Sequence, residues 1–387
     1  MYDACMRTAI VCGSGVAGLS AAIAFAMNGW RVDVYERDSA VREIGAGIFI
    51  KANGLRVLES FGLLDRIRRD CVVLQEAHTL DKDGHLLQRR KLPGVNPVWN
   101  IQRQLLIRAL LDRATELGAR VHTSCAVEQV GPEGTIGIGD RRLTADLVVA
   151  ADGVNSAARR ALGLDRPVRE PRSGAIRLLV PRTAFEADDV VRESWSGRLR
   201  VGISPCTRTD VFSYLIAPLE DQHGTRVPID RAYWSARFPR LAAEGFFERA
   251  AVADGVHHRY PFVSTTSWVK GRVALAGDAA HALPPTLGQG AGLSLTNTLL
   301  LARYVSSSDD LADALAAWER DWRWVSDRTQ TWARRYDWIT SEWPRSVYPL
   351  RDTVIWGLGK SRRFNSYMRI ADRIDAPGQT VLSAPSR

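Results

Sequence analysis

Lysine is scarce in this chain of 387 residues: nearly all of its 52 basic residues are arginine, set against 43 acids for a net charge of +9. That balance raises the question of nucleic acid. The arginines, however, are scattered among acids, and no lysine-rich run or RNA-binding signature occurs, so nucleic acid is not expected as a partner. A few arginines are expected to serve anionic ligands. Cysteine is rare too. The five cysteines are widely spaced, with no CxxC and no Cys/His cluster at metal spacing, which excludes a disulfide framework and the common metal motifs. No run of ~18 apolar residues occurs, which excludes a membrane-spanning helix. Internal repeats and low-complexity segments are also missing. The chain opens almost at once on its first strand and leaves no room for a signal peptide, so a cytoplasmic protein is expected. What remains is an ordinary globular composition, 45% hydrophobic and 25% charged, in a chain long enough for about two or three domains.

The most informative stretch comes first. Residues 8–12 (TAIVC) predict a short buried strand that runs straight into Gly13-Ser14-Gly15-Val16-Ala17-Gly18. Residues 19–27 predict an apolar, alanine-rich helix stopped by Asn28-Gly29, and residues 30–35 a second strand ending on Glu36. This is the strand–GxGxxG–helix–strand–acid order of a dinucleotide-binding unit. Gly13 permits a tight turn, Gly15 lets a pyrophosphate approach the backbone, and Gly18 lets the helix pack closely on the sheet. Val16 and Ala17, at the helix start, offer backbone N–H groups and the positive dipole end to phosphate. Glu36 stands 18 residues past Gly18, where an acid accepts from the adenosine ribose hydroxyls, and Arg37 follows it. A lone GxGxxG is often only a glycine-rich turn; here both strands, the helix and the acid are in place. The unit alone does not separate NAD from FAD.

Gly45 and Gly47 then lie in a small-residue stretch that fits backbone close to something flat. Residues 52–61 predict a helix, and 74–99 strands with turns at Asp83-Gly84 and Pro93-Gly94. Arg103 opens an amphipathic helix with Leu106, Ala109, Leu110 and Ala114 on its apolar side, ending at Gly118. Residues 119–122 predict a strand, and 143–151 one buried strand ending on Asp152-Gly153. From 172 to 262 the pattern changes. Strands at 175–180, 199–203 and 211–217 with no helix between them predict an antiparallel sheet in a separate layer. Residues 231–251 predict helix broken at Pro239. A buried strand at 271–276 ends on Gly277-Asp278-Ala279-Ala280-His281, and a loop leads from there into a small-residue helix from Ala291. His281 has more the character of a satisfied core histidine than of a catalytic one. The tryptophan-rich remainder predicts helix packed in a core or on a subunit face.

Three motifs therefore stand in order: GSGVAG with Glu36, Asp152-Gly153 after a buried strand, and GDAAHALPPTLGQGAG from Gly277. Together, over most of the chain up to about residue 322, they resemble the single-component FAD-dependent aromatic hydroxylases with the para-hydroxybenzoate hydroxylase fold. Within that family GAGIFIKANGLRVLESFGLLD from Gly45, AIRLLVPR from Ala175, ISPC from Ile203 and VPID from Val227 resemble the pyridine-ring oxygenases. The resemblance implies an α/β protein. Its parts are a Rossmann-like FAD-binding domain (1–75, 100–165, 268–303), an antiparallel-sheet substrate domain (76–99, 166–267) and a C-terminal helical region (304–387). It implies that Gly13, Gly15 and Gly18 hold the FAD pyrophosphate and Glu36 the ribose, with Arg42 and Arg103 along the cofactor. Asp278, after Gly277, matches the acid that bonds the ribityl chain. Pro285, Gly288, Gln289, Gly290 and Ala291 match the loop and helix start facing the flavin ring. Asp152 and Arg159 match a motif linked to both FAD and the nicotinamide cofactor.

The implied reaction has NADH or NADPH reduce the flavin and O₂ add as a flavin hydroperoxide, with one oxygen passing to an electron-rich ring. Whether the ring is also opened is left open, as is the choice between monomer and homodimer. No catalytic side chain and no metal are identified. An oxidase or reductase without oxygen insertion, and a dinucleotide-binding sensor without turnover, are the rival readings. On the substrate side the resemblance points to Phe49, Arg200, Phe212 and Pro284. Arg200 is expected either to grip a ring carboxylate or phenolate or to be a solvated arginine on an edge strand. The first reading implies a small anionic aromatic or heteroaromatic substrate. Phe49, Gln75 and Phe212 fall where the relatives have tyrosines, so fewer hydroxyls are expected in the pocket.

Overall fold

The computed structural model describes residues 6–41, 46–92, 97–168, 170–186 and 188–343, with the isolated residues 350, 353, 354, 357 and 371. Arg42 and the Pro93-Gly94 turn lie outside the described residues.

The first strand, Thr8–Cys12, is buried along almost its whole length and is flanked by parallel neighbours, Arg31–Tyr35 on one side and Leu147–Ala150 on the other. The sheet continues to Arg120–His122 beyond the former. Beyond the latter it continues to Val273–Leu275, with Val269–Lys270 as an antiparallel edge. A strand buried on both faces needs a continuous apolar run, and TAIVC, LVVA and VAL supply one. The helix Val16–Met27 covers one face. Its alanines let the helix Gly290–Ser306 come close, and Ser20 Oγ meets Thr298 Oγ1 at 2.7 Å between them. The long helix Leu311–Ser341 packs on this side through Trp318, fully buried, whose indole N–H donates to the Asn297 carbonyl at 3.1 Å.

A second sheet of seven strands carries its own core, formed with Trp234, Phe238, Phe246 and Phe247 from three short helices between 231 and 251. Its order is Gly255–Arg259, Ser173–Pro181, Asp210–Pro218, Leu199–Pro205, Val190–Ser196, Glu76–Asp81, Leu86–Lys91. Four differences from expectation have physical causes. The sheet is mixed, because Val190–Ser196 runs parallel to Glu76–Asp81. Two of its strands, Val190–Ser196 and Gly255–Arg259, carry Glu193 and His258 at positions a plain apolar alternation would not fill. The expected strand at 143–151 is two: Arg141–Thr144 closes a small hairpin on Thr135–Ile138, and Leu147–Ala150 starts afresh. Asp146 marks the break, its carboxylate accepting from the Thr8 N–H at 2.8 Å and the Thr8 hydroxyl at 2.9 Å. Val98 and Trp99 are expected with residues 76–99. They instead pair, within Val98–Gln102, with Gly47–Ile50 and Cys71–Leu74 in a third sheet.

Candidate active site

The glycine loop is built as tightly as its spacing implies. Gly13 has φ +97°, and a Cβ on it would stand 2.6 Å from the Ala151 carbonyl oxygen; a Cβ on Gly18 would stand 1.9 Å from the Gly13 oxygen. The helix begins after Gly15 with no side-chain cap, so its first N–H groups are free to meet a ligand. Gly15, Val16 and Ala17 line a cavity of about 880 Å³. Glu36 organises the loop from behind. It accepts from the Ser14 N–H at 2.8 Å, the Ser14 hydroxyl at 2.6 Å and the Asp38 N–H at 3.0 Å. Burial raises its pKa, but these bonds and the nearby Arg37 outweigh burial, and the net shift is downward. Arg37 itself is exposed and lies 3.8 Å from Asp38, turned to solvent rather than to the cavity.

Gly277-Asp278 closes the cavity from the other side. Gly277 has φ +60°, and a Cβ there would press on the Ala17 methyl at 2.6 Å, so the two motifs are in contact. Asp278 is solvent-accessible only in the sense that it opens into the cavity. The protein around it still desolvates the carboxyl and raises its pKa, with Arg103 pulling the other way. Among the described residues nothing hydrogen-bonds its carboxylate, so it is not a helix cap. Arg103, first residue of the helix Arg103–Glu116, also lines the cavity, as do Pro285, Gly288, Gly290 and Ala291 at the uncapped start of Gly290–Ser306. Gln289 is fully buried beneath that turn. Pro284, expected on the substrate side, is buried and does not line the cavity; Pro285 does, because the 3₁₀ turn Pro285–Leu287 rotates Pro284 inward.

Asp152 and Arg159 are set back from the cavity, which Ala151 and Gly153 line in their place. Asp152 Oδ2 accepts from the Ala158 N–H at 3.1 Å, while its Oδ1 is buried without a partner. Arg159, expected near a cofactor, is 2% exposed and fully occupied as a clamp. Its Nε meets Asp165 at 2.6 Å, Nη1 donates to the Ala279 carbonyl at 3.0 Å and Nη2 to the Val154 carbonyl at 2.8 Å. It thereby ties the Asp152-Gly153 turn to the residue after Asp278. Arg159→Met is expected to cost on the order of 3 kcal/mol of folding stability, as for a lost charged anchor, read from urea unfolding of the apoprotein. An unchanged midpoint would show that the clamp is redundant.

The far end of the cavity lies on the seven-stranded sheet. Phe49 and Phe212 stand with ring centroids 5.8 Å apart, and Phe212 and Tyr214 5.7 Å apart. Arg200 is on an interior strand and 2% exposed, so the solvated edge-strand alternative does not hold. It lies 3.8 Å from Glu193 and 3.7 Å from Asp337, and donates to the Ser341 hydroxyl at 2.9 Å. Gln75 is outside the lining, while Tyr214, Tyr260 and Tyr336 line the cavity. Glu193, Tyr214, His258, Tyr260 and Tyr336 belong to no motif. Glu193 and His258 sit in strands, VVRESWS and GVHHR, too polar to stand out in the sequence.

Away from the cavity, His281 is 1% exposed and burial lowers its pKa to about 4. Its Nε2 lies 3.0 Å from the Asn297 amide and its ring 5.4 Å from Trp268, the surroundings of a neutral core histidine. Among the described residues one trio of metal-type ligands converges, Asp81, Asp83 and His85. It sits in a hairpin turn whose own bonds, from Asp83 N–H and His85 N–H to Asp81 Oδ1, account for it. No helix among the described residues is long and apolar enough to cross a membrane.

Residues 6–308 match the FAD binding domain family, and the chain belongs to that family. It is an FAD-dependent monooxygenase of the aromatic hydroxylase type. The chain is 35% identical over 364 residues to a 2-heptyl-3-hydroxy-4(1H)-quinolone synthase of Mycobacteroides abscessus, covering 91% of this chain and 94% of that one. A solved tetrameric form of 2-methyl-3-hydroxypyridine-5-carboxylic acid oxygenase superimposes with a TM-score of 0.84 at 33% identity, covering 95% of this chain and 96% of that one. Klebsiella pneumoniae HpxO, solved with FAD and uric acid, does so at 0.80 and 25%, covering 94% and 96%. The site fits FAD on its own terms: Gly15 and two uncapped helix starts face one cavity, together with the Asp278 carboxylate, to which no described residue donates.

Proposed function

We propose that the protein uses NADH or NADPH and O₂ to hydroxylate a ring carbon of a small nitrogen heteroaromatic, of the quinolone or pyridine type. The observation that carries this is the single cavity joining the glycine loop and Asp278 at one end to the Phe49–Phe212 wall at the other. FAD, when bound, supplies the redox chemistry by accepting hydride and activating O₂. The chain's own residues bind and orient. The Val16 and Ala17 N–H groups hold the pyrophosphate, Glu36 the ribose and Asp278 the ribityl hydroxyls. The N–H groups at Gly288–Ala291 stabilise negative charge on the flavin ring. Phe49 and Phe212 form an apolar wall that keeps water from the reacting carbon. Residues 1–75, 98–165 and 268–303 act as the FAD-binding domain, 76–97 and 166–267 as the substrate domain, and the protein works in the cytoplasm.

The test is a screen of 4(1H)-quinolones and pyridine carboxylates against the purified yellow protein, following NAD(P)H consumption and product mass under ¹⁸O₂. A stimulating ring that gains one labelled oxygen is the expected result. Stimulated NAD(P)H consumption with an unlabelled ring would show that the ring triggers flavin reduction but is not the substrate, the electrons leaving to O₂ as H₂O₂.

A further inference from the structure

Arg90 and Arg177 line the cavity together with Arg200, but Arg200 is already matched. Arg200 is wedged between Glu193, at 3.8 Å, and Asp337, at 3.7 Å, and its Nη2 donates to Ser341. Burial raises the Asp337 pKa, Arg200 lowers it and Glu342 raises it, for a net upward shift. The guanidinium already faces two carboxyl groups of the protein. The Arg200 Nε is buried without a partner, so that unused donor does not open toward a ligand.

What the cavity does present there is an acceptor. Tyr214 donates its hydroxyl proton to Glu193 Oε2 at 2.6 Å, and the Trp195 indole N–H donates to Glu193 Oε1 at 2.6 Å. Burial, and then Glu193, raises the Tyr214 pKa well above 10, so this hydroxyl remains a phenol. With its one proton committed to Glu193, Tyr214 can only accept from anything else, and Glu193 keeps lone pairs beyond the two bonds it makes. Both residues line the cavity next to the Phe212 ring, 5.7 Å from that of Tyr214. A carboxylate or phenolate placed against these two oxygens would meet lone pairs and lose its hydration there without compensation. A flat ring with an N–H or O–H donor would satisfy them.

We infer that the Tyr214–Glu193 pair recognises a neutral ring carrying an N–H or O–H donor, and that Arg200 is a positioning residue holding Glu193 from behind rather than an anion grip. This rests on the ring-hydroxylation reading above and narrows its substrate class. Ser341 and Asp337 come from the end of the helix Leu311–Ser341, and Tyr336 beside them lines the cavity, so the C-terminal helix supplies one wall of the pocket.

The experiment titrates FAD-loaded protein with three probes: 4(1H)-quinolone, its N-methyl derivative and a pyridine carboxylate. Binding is read as a change in the bound-flavin absorption spectrum. The donor-bearing quinolone is expected to bind at least about tenfold tighter than either other probe, the size of one well-placed hydrogen bond. Tyr214→Phe and Glu193→Gln should each bring the ratio over the N-methyl compound to within about threefold, with FAD affinity unchanged. Arg200→Ala should do the same, and Arg200→Lys should restore part of the preference, which a purely structural role would not do. Tighter binding of the carboxylate to wild-type protein, or equal binding of the N-methyl compound, overturns the inference without needing any variant. If the carboxylate alone stimulates NAD(P)H consumption and acquires label, the hydroxylase reading stands and only this inference falls. If no ring perturbs the flavin, both fall.

Discussion

Gly18→Ala is expected to yield a colourless protein that retains no FAD. The added methyl would sit 1.9 Å from the Gly13 carbonyl oxygen, 2.9 Å from the Gly13 carbonyl carbon and 3.3 Å from a Val11 side-chain carbon. Two of these contacts are backbone, which cannot rotate away. Relief would require the helix Val16–Met27 to lift from the strand Thr8–Cys12, and that helix is held on its other side by Gly290–Ser306. Overpacking of this kind costs about 1–3 kcal/mol or more. The effect on FAD should exceed the effect on folding, because the same displacement moves the Val16 and Ala17 N–H groups off the phosphates. Flavin absorbance per mole of purified protein and the melting temperature measure the two effects separately. Full flavin content in a soluble Gly18→Ala protein would show that the loop tolerates the methyl and does not hold the pyrophosphate. Gly62→Ala is the control: it also has positive φ, +74°, but nothing within 4 Å of its added methyl, and it should keep its FAD.

The contrast between the two ends of the cavity explains what the sequence discloses. The nucleotide end is written in glycines and in apolar runs, because a close backbone approach can be met by few residue types and a strand buried on both faces by few others. Gly13, Gly15, Gly18, Glu36, Gly277 and Asp278 stand out in the sequence for that reason, whereas the contact between the two motifs at Ala17 emerges only in the fold. The substrate end is written in side chains that break the patterns. Val190–Ser196 (VVRESWS) and Gly255–Arg259 (GVHHR) carry too few apolar residues to read as strands, so Glu193 and His258 stay hidden with them. Arg200 was found, but its partners were not. Asp337 and Ser341 lie about 140 residues further on, in the tryptophan-rich helix Leu311–Ser341. A charge can be read from one position, whereas its neutralisation depends on the fold. The same holds for Arg159, which sits in a motif that fits a cofactor contact and spends its donors on Asp165 and two carbonyls.

Asp278→Ala should weaken FAD by roughly ten- to a hundredfold while leaving the apoprotein as stable as wild type, or slightly more so. The carboxylate is desolvated by the protein around it, which raises its pKa, and Arg103 offsets only part of this. No group among the described residues donates to it. A charge kept in that condition contributes nothing favourable to folding, and removing it relieves a penalty. With FAD in place the ribityl hydroxyls supply the missing donors, and a hydrogen bond to a charged acceptor is worth about 1.5–3 kcal/mol. The sign of the pH dependence follows. In the apoprotein the raised pKa favours the protonated acid. Donors from FAD favour the carboxylate and lower that pKa. Binding therefore releases a proton, and FAD affinity should rise as pH increases through the apoprotein's Asp278 pKa, then level off. In Asp278→Ala this rise should vanish. Fluorescence titration of apoprotein with FAD across mildly acidic to neutral pH, beside thermal melts of both apoproteins, measures all three effects. A variant that loses melting temperature but keeps its FAD dissociation constant would make Asp278 a structural residue. It would also move the ribityl contact elsewhere along the cavity, with Arg103 and Ser294 the lining residues to examine next.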